Sequence, residues 1–493
     1  MRASAAALAA VLIALSGCAK TLDRPVRPIA VQPPEQWTGV PETPSETVPE
    51  IEGPREGDWW EYFGDSGLDR AVSQTLTRNR TITAAAARID AAAAQARIAG
   101  AAELPEAQLS LQRGRQRQNF IGLPIPGRED SVLSTTNTNA GLSFALSWEA
   151  DVWGRVKSGK LAALADREAA QADLAGVRLS LTAQTSKAWF AAIEANRQVQ
   201  LARATLESLK VSAERVRARY ESGVRPSLDL RLALTEVDRA EALRQQRLAQ
   251  RDAALRVLEE LAGEYPDGDY AIAEDLPKPP PGVPAGLPSE LVHRRPDLIA
   301  AERRLLASDA RIEQAQAELR PRFSLTSSTG TTSNRLQELL DTDVLVWSLI
   351  GGVTQPLFNN GRLKANVQLN EAQAQEAAAS YEAAILQAYR EVETALAAES
   401  LLAEREKALD SATRQALAAQ GLAEQRYRAG LTGIITLLEA QRTALDSESE
   451  LLVVRRARLD NRIDLHLALG GGFRVSTPSL IDAADTADER QKL

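Results

Sequence analysis

The chain has 493 residues and a net charge of −8, with 4% aromatic residues, one cysteine, two histidines and one methionine. One cysteine excludes a disulfide framework and a thiolate metal cluster, and so little histidine argues against metal chelation and histidine-based catalysis. The acidic balance argues against a nucleic-acid partner. We therefore expect no enzyme and no cofactor, and a composition rich in alanine, leucine and glutamate favours long helices.

Residues 1–17 have the pattern of a secretory signal peptide, with an apolar run from Ala5 to Leu15 that is too short to span a bilayer. The tetrapeptide that ends at Cys18 resembles the lipobox of bacterial lipoproteins. The resemblance predicts that Cys18 is the acylated first residue of the mature chain, and Ala19 beside it implies sorting to the outer membrane. The alternative is an ordinary signal peptide that ends near a cysteine.

Prolines divide the rest of the chain. Eight of them lie in residues 18–57, where they forbid helix and favour an extended tether. A second proline-rich segment, 276–288, separates two halves, 58–275 and 289–474. A polar tail follows at 475–493 and is expected to be frayed.

The two halves repeat each other at an offset of 207 residues. Gly-Arg-Val at 154–156 recurs as Gly-Arg-Leu at 361–363, and Arg-Tyr-x-x-Gly at 219–223 recurs at 426–430. Two motifs that share one offset indicate an internal duplication, which predicts two copies of one supersecondary unit.

Each half contains a long stretch without proline, 154–222 and 361–429. At about 1.5 Å per residue, each predicts a helix roughly 100 Å long. Apolar residues three and four apart, and a leucine every seven residues near the C-terminus, are typical of coiled-coil seams. Shorter helices are predicted at the following ranges, so that two stacked short helices match one long helix: 68–104, 227–262, 290–320 and 433–469.

Segments of alternating polarity precede each long helix and predict β-strands of about ten residues, long enough to cross a bilayer when tilted. No segment after Leu15 has eighteen consecutive apolar residues, so a membrane-spanning role would have to come from these strands. A soluble hairpin is the alternative. The apolar positions predicted to face lipid are Leu142, Phe144, Leu146, Trp148, Trp347 and Leu349.

Four strands cannot close a barrel, and an open sheet edge in hydrocarbon leaves backbone groups unpaired. If these strands lie in a membrane, several chains must share one barrel. Three copies would supply twelve strands, a plausible pore size.

Four groups of residues occur in order between positions 59 and 470: Trp59-Trp60 with Phe63, Asp65, Leu68 and Asn79; Arg295-Pro296-Asp297-Leu298 with Ala301-Glu302; Pro356-Leu357-Phe358 before Gly361-Arg362; and the motif at 426–430 with Leu437 to Arg442. Together they resemble the TolC-type outer-membrane efflux factors, in particular the lipoprotein branch paired with resistance-nodulation-division pumps.

The resemblance implies a homotrimer that is mainly α with membrane β: a twelve-stranded outer-membrane β-barrel, surrounded by outer-membrane lipid, that continues into a long periplasmic α-helical coiled-coil tunnel. It implies a passive exit duct, opened by a periplasmic adaptor protein and served by an inner-membrane pump. Two alternatives stay open, namely the outer-membrane duct of a type I protein secretion system and a structural coiled coil such as an adhesin stalk.

The repeated Arg-Tyr-x-x-Gly turns are expected at the periplasmic tip of the tunnel. Their glycines can adopt the left-handed conformation that ends a helix, and Pro226 suits the start of the next one. The resemblance implies that the turns also contact the adaptor; plain helix-hairpin chemistry is the alternative. The predicted tip residues are Arg219, Tyr220, Gly223, Arg225, Arg426, Tyr427, Gly430 and Leu431.

Two groups of charges complete the candidate sites. The resemblance places Asp229 at a gate constriction, where three copies would concentrate negative potential, with Arg225 as a candidate ion-pair partner and a solvated surface charge as the alternative. Arg113, Arg115 and Arg117 continue the parity of the lipid-facing leucines and are candidates for contact with lipopolysaccharide phosphates, or else lie in a solvated loop. His466 is in phase with the leucine heptad and is expected to pack near a helix end.

Overall fold

The computed structural model describes residues 34, 37, 38, 58–120, 133–280 and 288–471. The predictions for Cys18, the signal peptide, nearly all of the tether and the tail from 475 lie outside these residues. In the described part of the tether, Trp37 is buried edge-on against Tyr389, with ring centroids 6.0 Å apart, and the Thr38 amide donates to Glu393 Oε1 at 2.9 Å.

The two halves follow one order: a helical segment broken near its start, two strands, a long helix and a shorter helix. The helices are α1 (Ser66–Arg78), α2 (Arg80–Ala101), α3 (Arg155–Glu221), α4 (Ser227–Ala262), α5 (Pro296–Ala317), α6 (Arg362–Arg428) and α7 (Ile434–Ala468). The strands are β1 (Glu106–Phe120), β2 (Leu133–Ala150), β3 (Arg322–Ser333) and β4 (Leu345–Thr354). The two long helices, α3 and α6, have 67 residues each, which confirms the lengths predicted from the proline-free stretches.

The prediction of one helix over 68–104 is wrong, because Asn79 separates α1 from α2. Asn79 has an extended backbone (φ −64°, ψ 127°), and its Oδ1 accepts a hydrogen bond from the Thr81 amide at 2.9 Å. Its Nδ2 donates to the Leu261 carbonyl at 2.9 Å. The side chain therefore caps α2 and binds the end of α4, so a contact from elsewhere in the chain decides the break.

The helix predicted at 290–320 is also shorter than expected. A single turn, Leu291–Arg294, precedes Arg295, which is extended (ψ 123°), and α5 begins at Pro296. Proline disfavours the helical conformation in the residue before it, and it suits the first helical position because it lacks an N–H.

One antiparallel sheet joins the two halves, in the order β1-β2-β3-β4. The pairing of β2 with β3 connects the first half to the second. In the register, Leu109 lies opposite Phe144, Phe144 opposite Thr329, and Thr329 opposite Trp347. Because side chains alternate between the two faces of a sheet, this register places all six predicted lipid-facing residues on one face.

The helices pack lengthwise against the two long ones. Helix α3 contacts α2 and α5 near the sheet and α4 and α7 further away, and α6 contacts α5 and α7. Buried alanines line these contacts, for example Ala162, Ala172, Ala307 and Ala388. Small side chains allow long helices to pack closely. No helix in the described ranges is long and apolar enough to span a membrane.

A large hydrophobic cluster of described residues lies around the start of the first half, where the 3₁₀ helix Trp59–Phe63 packs on α3, α4 and α7. Its largest fully buried members include Trp59, Trp189, Phe190, Leu258 and Leu459. Aromatic side chains therefore dominate the core where the described N-terminal segment meets the helices, whereas the long seams rely on alanine and leucine.

Candidate functional site

The helix ends farthest from the sheet have the same turn in both halves. Gly223 and Gly430 both have φ of 74°, as predicted for residues that end a helix. The Val224 amide donates to the Arg219 carbonyl at 2.9 Å, and the Leu431 amide donates to the Arg426 carbonyl at 2.8 Å. These bonds close the last turn in the pattern of a Schellman motif, so the duplication extends to backbone geometry.

Arg219 connects the two turns. Its guanidinium donates to the carbonyls of Tyr427 at 3.1 Å and Arg428 at 2.9 Å, and it lies 5.0 Å from the centre of the Tyr427 ring. Carbonyls at a helix C-terminus have no partner within the helix and attract cations. Arg219 at the end of α3 therefore holds the end of α6.

The two tyrosines of the repeated motif occupy different environments. Tyr427 is buried in a cluster with Val216, Ala233, Ile434 and Leu437, whereas Tyr220 is exposed. The repeated motif thus supplies a packing residue in one half and a surface residue in the other.

Exposed apolar side chains surround the tips. Leu431 is 70% exposed, and three further residues that the sequence analysis did not select are similarly exposed: Val224, Leu228 and Ile435. The signal that could have identified them is their position beside the turns, where apolar side chains have no core to enter. Clustered exposed apolar residues are typical of surfaces that bind another protein.

Asp229 lies in the first turn of α4, which begins at Ser227. Pro226 is extended (ψ 157°) and occupies the position before the first helical residue, so the helix starts one residue after the proline. Within the described residues, Arg225 and Asp229 form no ion pair, so that candidate pairing is wrong for the single chain. The Arg225 amide instead bonds to the Arg219 carbonyl at 3.2 Å as part of the turn. An acid in a first turn is stabilised by the positive helix end. The gate role of Asp229 stays a prediction.

The two faces of the sheet differ sharply in chemistry. One face carries exposed apolar residues, including Leu109, Phe144, Trp148, Trp347 (75% exposed) and Leu349. The other carries mostly hydroxyls, amides and glycines, with the hydroxyl pairs Ser110–Ser143 at 2.7 Å and Ser328–Ser348 at 2.8 Å. On β3 the same face carries Phe323 and Leu325. It then continues with the hydroxyl residues Ser327, Thr329 and Thr331, which the sequence analysis did not select.

The outer edges of β1 and β4 have no neighbouring strand within the described part of the chain. An unpaired edge beside an exposed apolar face is a template for another strand. Because β1 has 15 residues and β4 has 10, a substantial ladder is available on each side for a neighbouring copy.

Tryptophans mark the junction between the sheet and the helices. Trp148 Nε1 donates to the Glu103 carbonyl at 3.0 Å, and Trp153 Nε1 donates to the Pro321 carbonyl at 2.8 Å. The Arg320 guanidinium lies 5.0 Å from the centre of the Trp153 ring. Aromatic residues with one polar contact and one exposed face are typical of membrane–water interfaces.

Two of the recognised sequence motifs have structural roles. Asp65 accepts hydrogen bonds from the amides of Gly67 (2.8 Å) and Leu68 and from Trp189 Nε1 at 2.8 Å, so it caps α1 and fixes it to α3. A Cβ at Gly67 would lie 2.5 Å from the Trp189 ring, so only glycine leaves room for that ring.

Arg295 of the Arg-Pro-Asp motif joins three helices. Its guanidinium binds Asp297 at 2.8 Å, Glu391 at 2.7 Å and the Ala468 carbonyl at 3.2 Å, and its side chain is only 9% exposed. The motif therefore connects the start of α5 to the middle of α6 and the end of α7.

No group of three or more metal-ligating side chains occurs in the ranges that the structure describes. An antiparallel sheet with one apolar face and two open edges, on a body of duplicated long helices, instead defines an outer-membrane channel of the TolC type. The chain belongs to the outer membrane efflux protein family, which matches residues 71–264 and 287–471.

Known relatives are similar over nearly the whole chain. Outer membrane protein OprJ of Pseudomonas aeruginosa is 34% identical, covering 96% of this chain and 97% of the relative. A pyoverdine export outer membrane protein, OpmQ of Pseudomonas putida, is 30% identical over 92% and 94%. The solved outer-membrane channel OprN superposes with a TM-score of 0.81 at 28% identity, covering 91% of this chain and 98% of that one. The predicted fold class is confirmed.

Proposed function

We propose that this chain is the outer-membrane exit duct of a tripartite efflux system, in which three copies form one twelve-stranded barrel and one periplasmic tunnel. The observation that supports this most is the exposed apolar face of a four-stranded sheet whose two edges are open. Three such sheets, joined edge to edge, would pair the backbone hydrogen-bonding groups of every strand and place the apolar face toward lipid. The hydroxyl-lined face would then line the pore.

The partners follow from the same proposal. The exposed apolar tips would bind a periplasmic adaptor protein, and a resistance-nodulation-division pump in the inner membrane would supply drugs or other small toxic compounds. The duct itself would perform no catalysis. Acylation of Cys18 would add an anchor in the outer membrane. Replacement of Cys18 by serine should abolish incorporation of labelled palmitate.

Two adjacent residues of β4 provide a sharp test of the orientation. Leu349 belongs to the apolar face and Ser348 to the hydroxyl face. Arginine on a lipid-facing position costs about 2–4 kcal/mol near the middle of a bilayer, whereas a pore-lining position tolerates charge. We expect Leu349→Arg to reduce trimer yield in outer-membrane fractions strongly and Ser348→Arg to assemble normally.

Function is tested with the same proteins. The wild type and Ser348→Arg should form trimers in detergent and conduct ions in planar bilayers, with the arginine shifting selectivity toward anions. A wild-type protein that stays monomeric and conducts no current would contradict the proposal. Recovery of only a polypeptide exporter with a tagged adaptor would favour protein secretion instead.

A further inference from the structure

Three arginines form a row on the apolar face of the sheet. Arg113, Arg115 and Arg117 are exposed on β1, and the register places them opposite Ala140, Thr138 and Thr136. They share the face of Leu109 and Leu111, because every second residue of a strand points the same way. From Arg113 to Arg117 the row spans about 14 Å at roughly 3.4 Å per residue.

The row begins where the large apolar residues of β1 and β2 on this face end. Leu111 lies opposite Leu142, and the next pair on the same face is Arg113 with Ala140. The helices join the other end of the sheet, so the arginines lie toward the end of the barrel that is distant from the tunnel. In the proposed orientation this is the level of the outer-leaflet headgroups.

The described part of the chain supplies no carboxylate that neutralises the row. Among the described residues, none of the three arginines forms an ion pair, and the one hydrogen bond of their guanidinium groups to another side chain joins Arg117 to Ser134 Oγ at 3.0 Å. Each planar guanidinium therefore keeps donors that match the oxygens of a phosphate, which arginine binds in a bidentate manner.

We infer that this row binds the phosphate groups of glycolipid headgroups in the outer leaflet. The inference rests on the proposed function, since it requires the apolar face to contact lipid. A strip of positive charge directly beyond an apolar band is complementary to an anionic lipid, whose acyl chains would cover the leucines while its phosphates meet the arginines. In a trimer the row would occur three times around the barrel.

The test compares purified trimers of the wild type with a variant in which Arg113, Arg115 and Arg117 are glutamine. Each is incubated with micelles that contain either bisphosphorylated lipid A or lipid A from which both phosphates have been removed, and bound lipid is counted by native mass spectrometry. A matched control replaces three exposed arginines of α2, which lie outside the sheet: Arg80, Arg88 and Arg97.

We expect the wild type and the α2 control to retain the phosphorylated lipid on the order of tenfold better than the dephosphorylated one, and the β1 variant to lose this preference. Raising the salt to about 0.5 M should weaken the preference, because exposed charges are screened. If the triple variant does not assemble, two measurements still test the inference: the preference of the wild type for the phosphorylated lipid, and the reduction of that preference in Arg115→Gln.

A wild type without preference, or a β1 variant that keeps it, would overturn the inference. Planar-bilayer conductance separates this result from failure of the channel itself. A conducting trimer that ignores lipid phosphates would contradict the arginine row alone, whereas a protein that neither trimerises nor conducts would contradict the proposed function.

Discussion

His466 and Trp59 stack face to face, with ring centroids 5.0 Å apart and planes 17° from parallel. Tyr62 lies nearly parallel to the same imidazole, with centroids 6.3 Å apart. The histidine is 5% exposed, and its burial, together with the charge of Arg462, lowers its pKa to about 4. The imidazole is therefore neutral at pH 7 and serves as a packing residue between α7 and the 3₁₀ helix.

This burial predicts acid sensitivity. The unfolded chain protonates His466 near pH 6.5 and the folded chain near pH 4, so the unfolded state binds more protons between these values and stability falls as the pH drops through them. The loss reaches about 3 kcal/mol per chain at most. Replacement by phenylalanine should flatten this part of the profile, measured as the apparent melting temperature of the trimer between pH 7 and pH 4.

Asp460 has the opposite effect on the pH dependence of stability over the same pH range. The contribution of His466 must therefore be measured as the difference between the wild type and His466→Phe. Burial raises the pKa of its carboxyl to about 6, so this group favours the folded state as the pH falls. Parallel melting profiles of the wild type and His466→Phe would contradict the prediction for the histidine.

The parts of the fold set by local pattern could be predicted. Alternation from Leu142 to Trp148 gave the face of β2, and the leucine heptad gave the packing of His466, because these signals repeat with the period of one element. The break at Asn79 and the role of Arg219 could not be predicted. Each depends on a carbonyl of a distant helix, and nothing in the local sequence identifies which helix end will lie beside it.

The contacts of Arg219 hold the ends of α3 and α6 together, which gives a prediction for the proposed channel. Opening that separates the ends of α3 and α6 must break its two hydrogen bonds to carbonyls of α6. A charged donor of this kind contributes about 1.5 kcal/mol, which corresponds to roughly tenfold in the ratio of open to closed tips. We expect Arg219→Ala to conduct more often in planar bilayers, with trimer assembly unchanged.

Arg217 is the matched control, because its partner Glu214 lies on its own helix, with N and O 2.6 Å apart. Arg217→Ala removes the same charge two residues away and should leave conductance as in the wild type. Equal conductance of all three proteins would show that the Arg219 contacts do not restrain the tip.

Two glycines, Gly421 inside α6 and Gly430 in the turn after it, should affect stability in opposite directions. Gly430 has φ of 74°, so a side chain there is strained by about 1–2 kcal/mol even though no atom lies within 4 Å of its Cβ position. Gly421 lies inside the exposed helix with equally open space, and alanine there should stabilise by about 0.5–1 kcal/mol. Thermal melting should place Gly430→Ala below the wild type and Gly421→Ala above it, and the reverse order would contradict the left-handed turn.

Replacing Arg295 by alanine should lower stability clearly, whereas replacing its neighbour Arg294 should have little effect. Arg295 is nearly buried and holds Asp297, Glu391 and the Ala468 carbonyl. Because Asp297 is 54% exposed and stays hydrated without its partner, the loss on removing Arg295 should be about 1–3 kcal/mol. Lysine should not restore the loss, since it cannot bind Asp297 through two parallel hydrogen bonds.

Arg294 is 56% exposed, and its one ion pair within the described residues is with Glu290 one turn earlier, so Arg294→Ala should cost less than about 1 kcal/mol. The two alanine variants remove the same charge at adjacent positions. A difference between their melting temperatures therefore measures the buried contacts and not the loss of charge. Equal melting temperatures of Arg295→Ala and Arg294→Ala would show that the three-helix contact contributes little. The Arg-Pro-Asp motif would then matter only for starting α5 at Pro296.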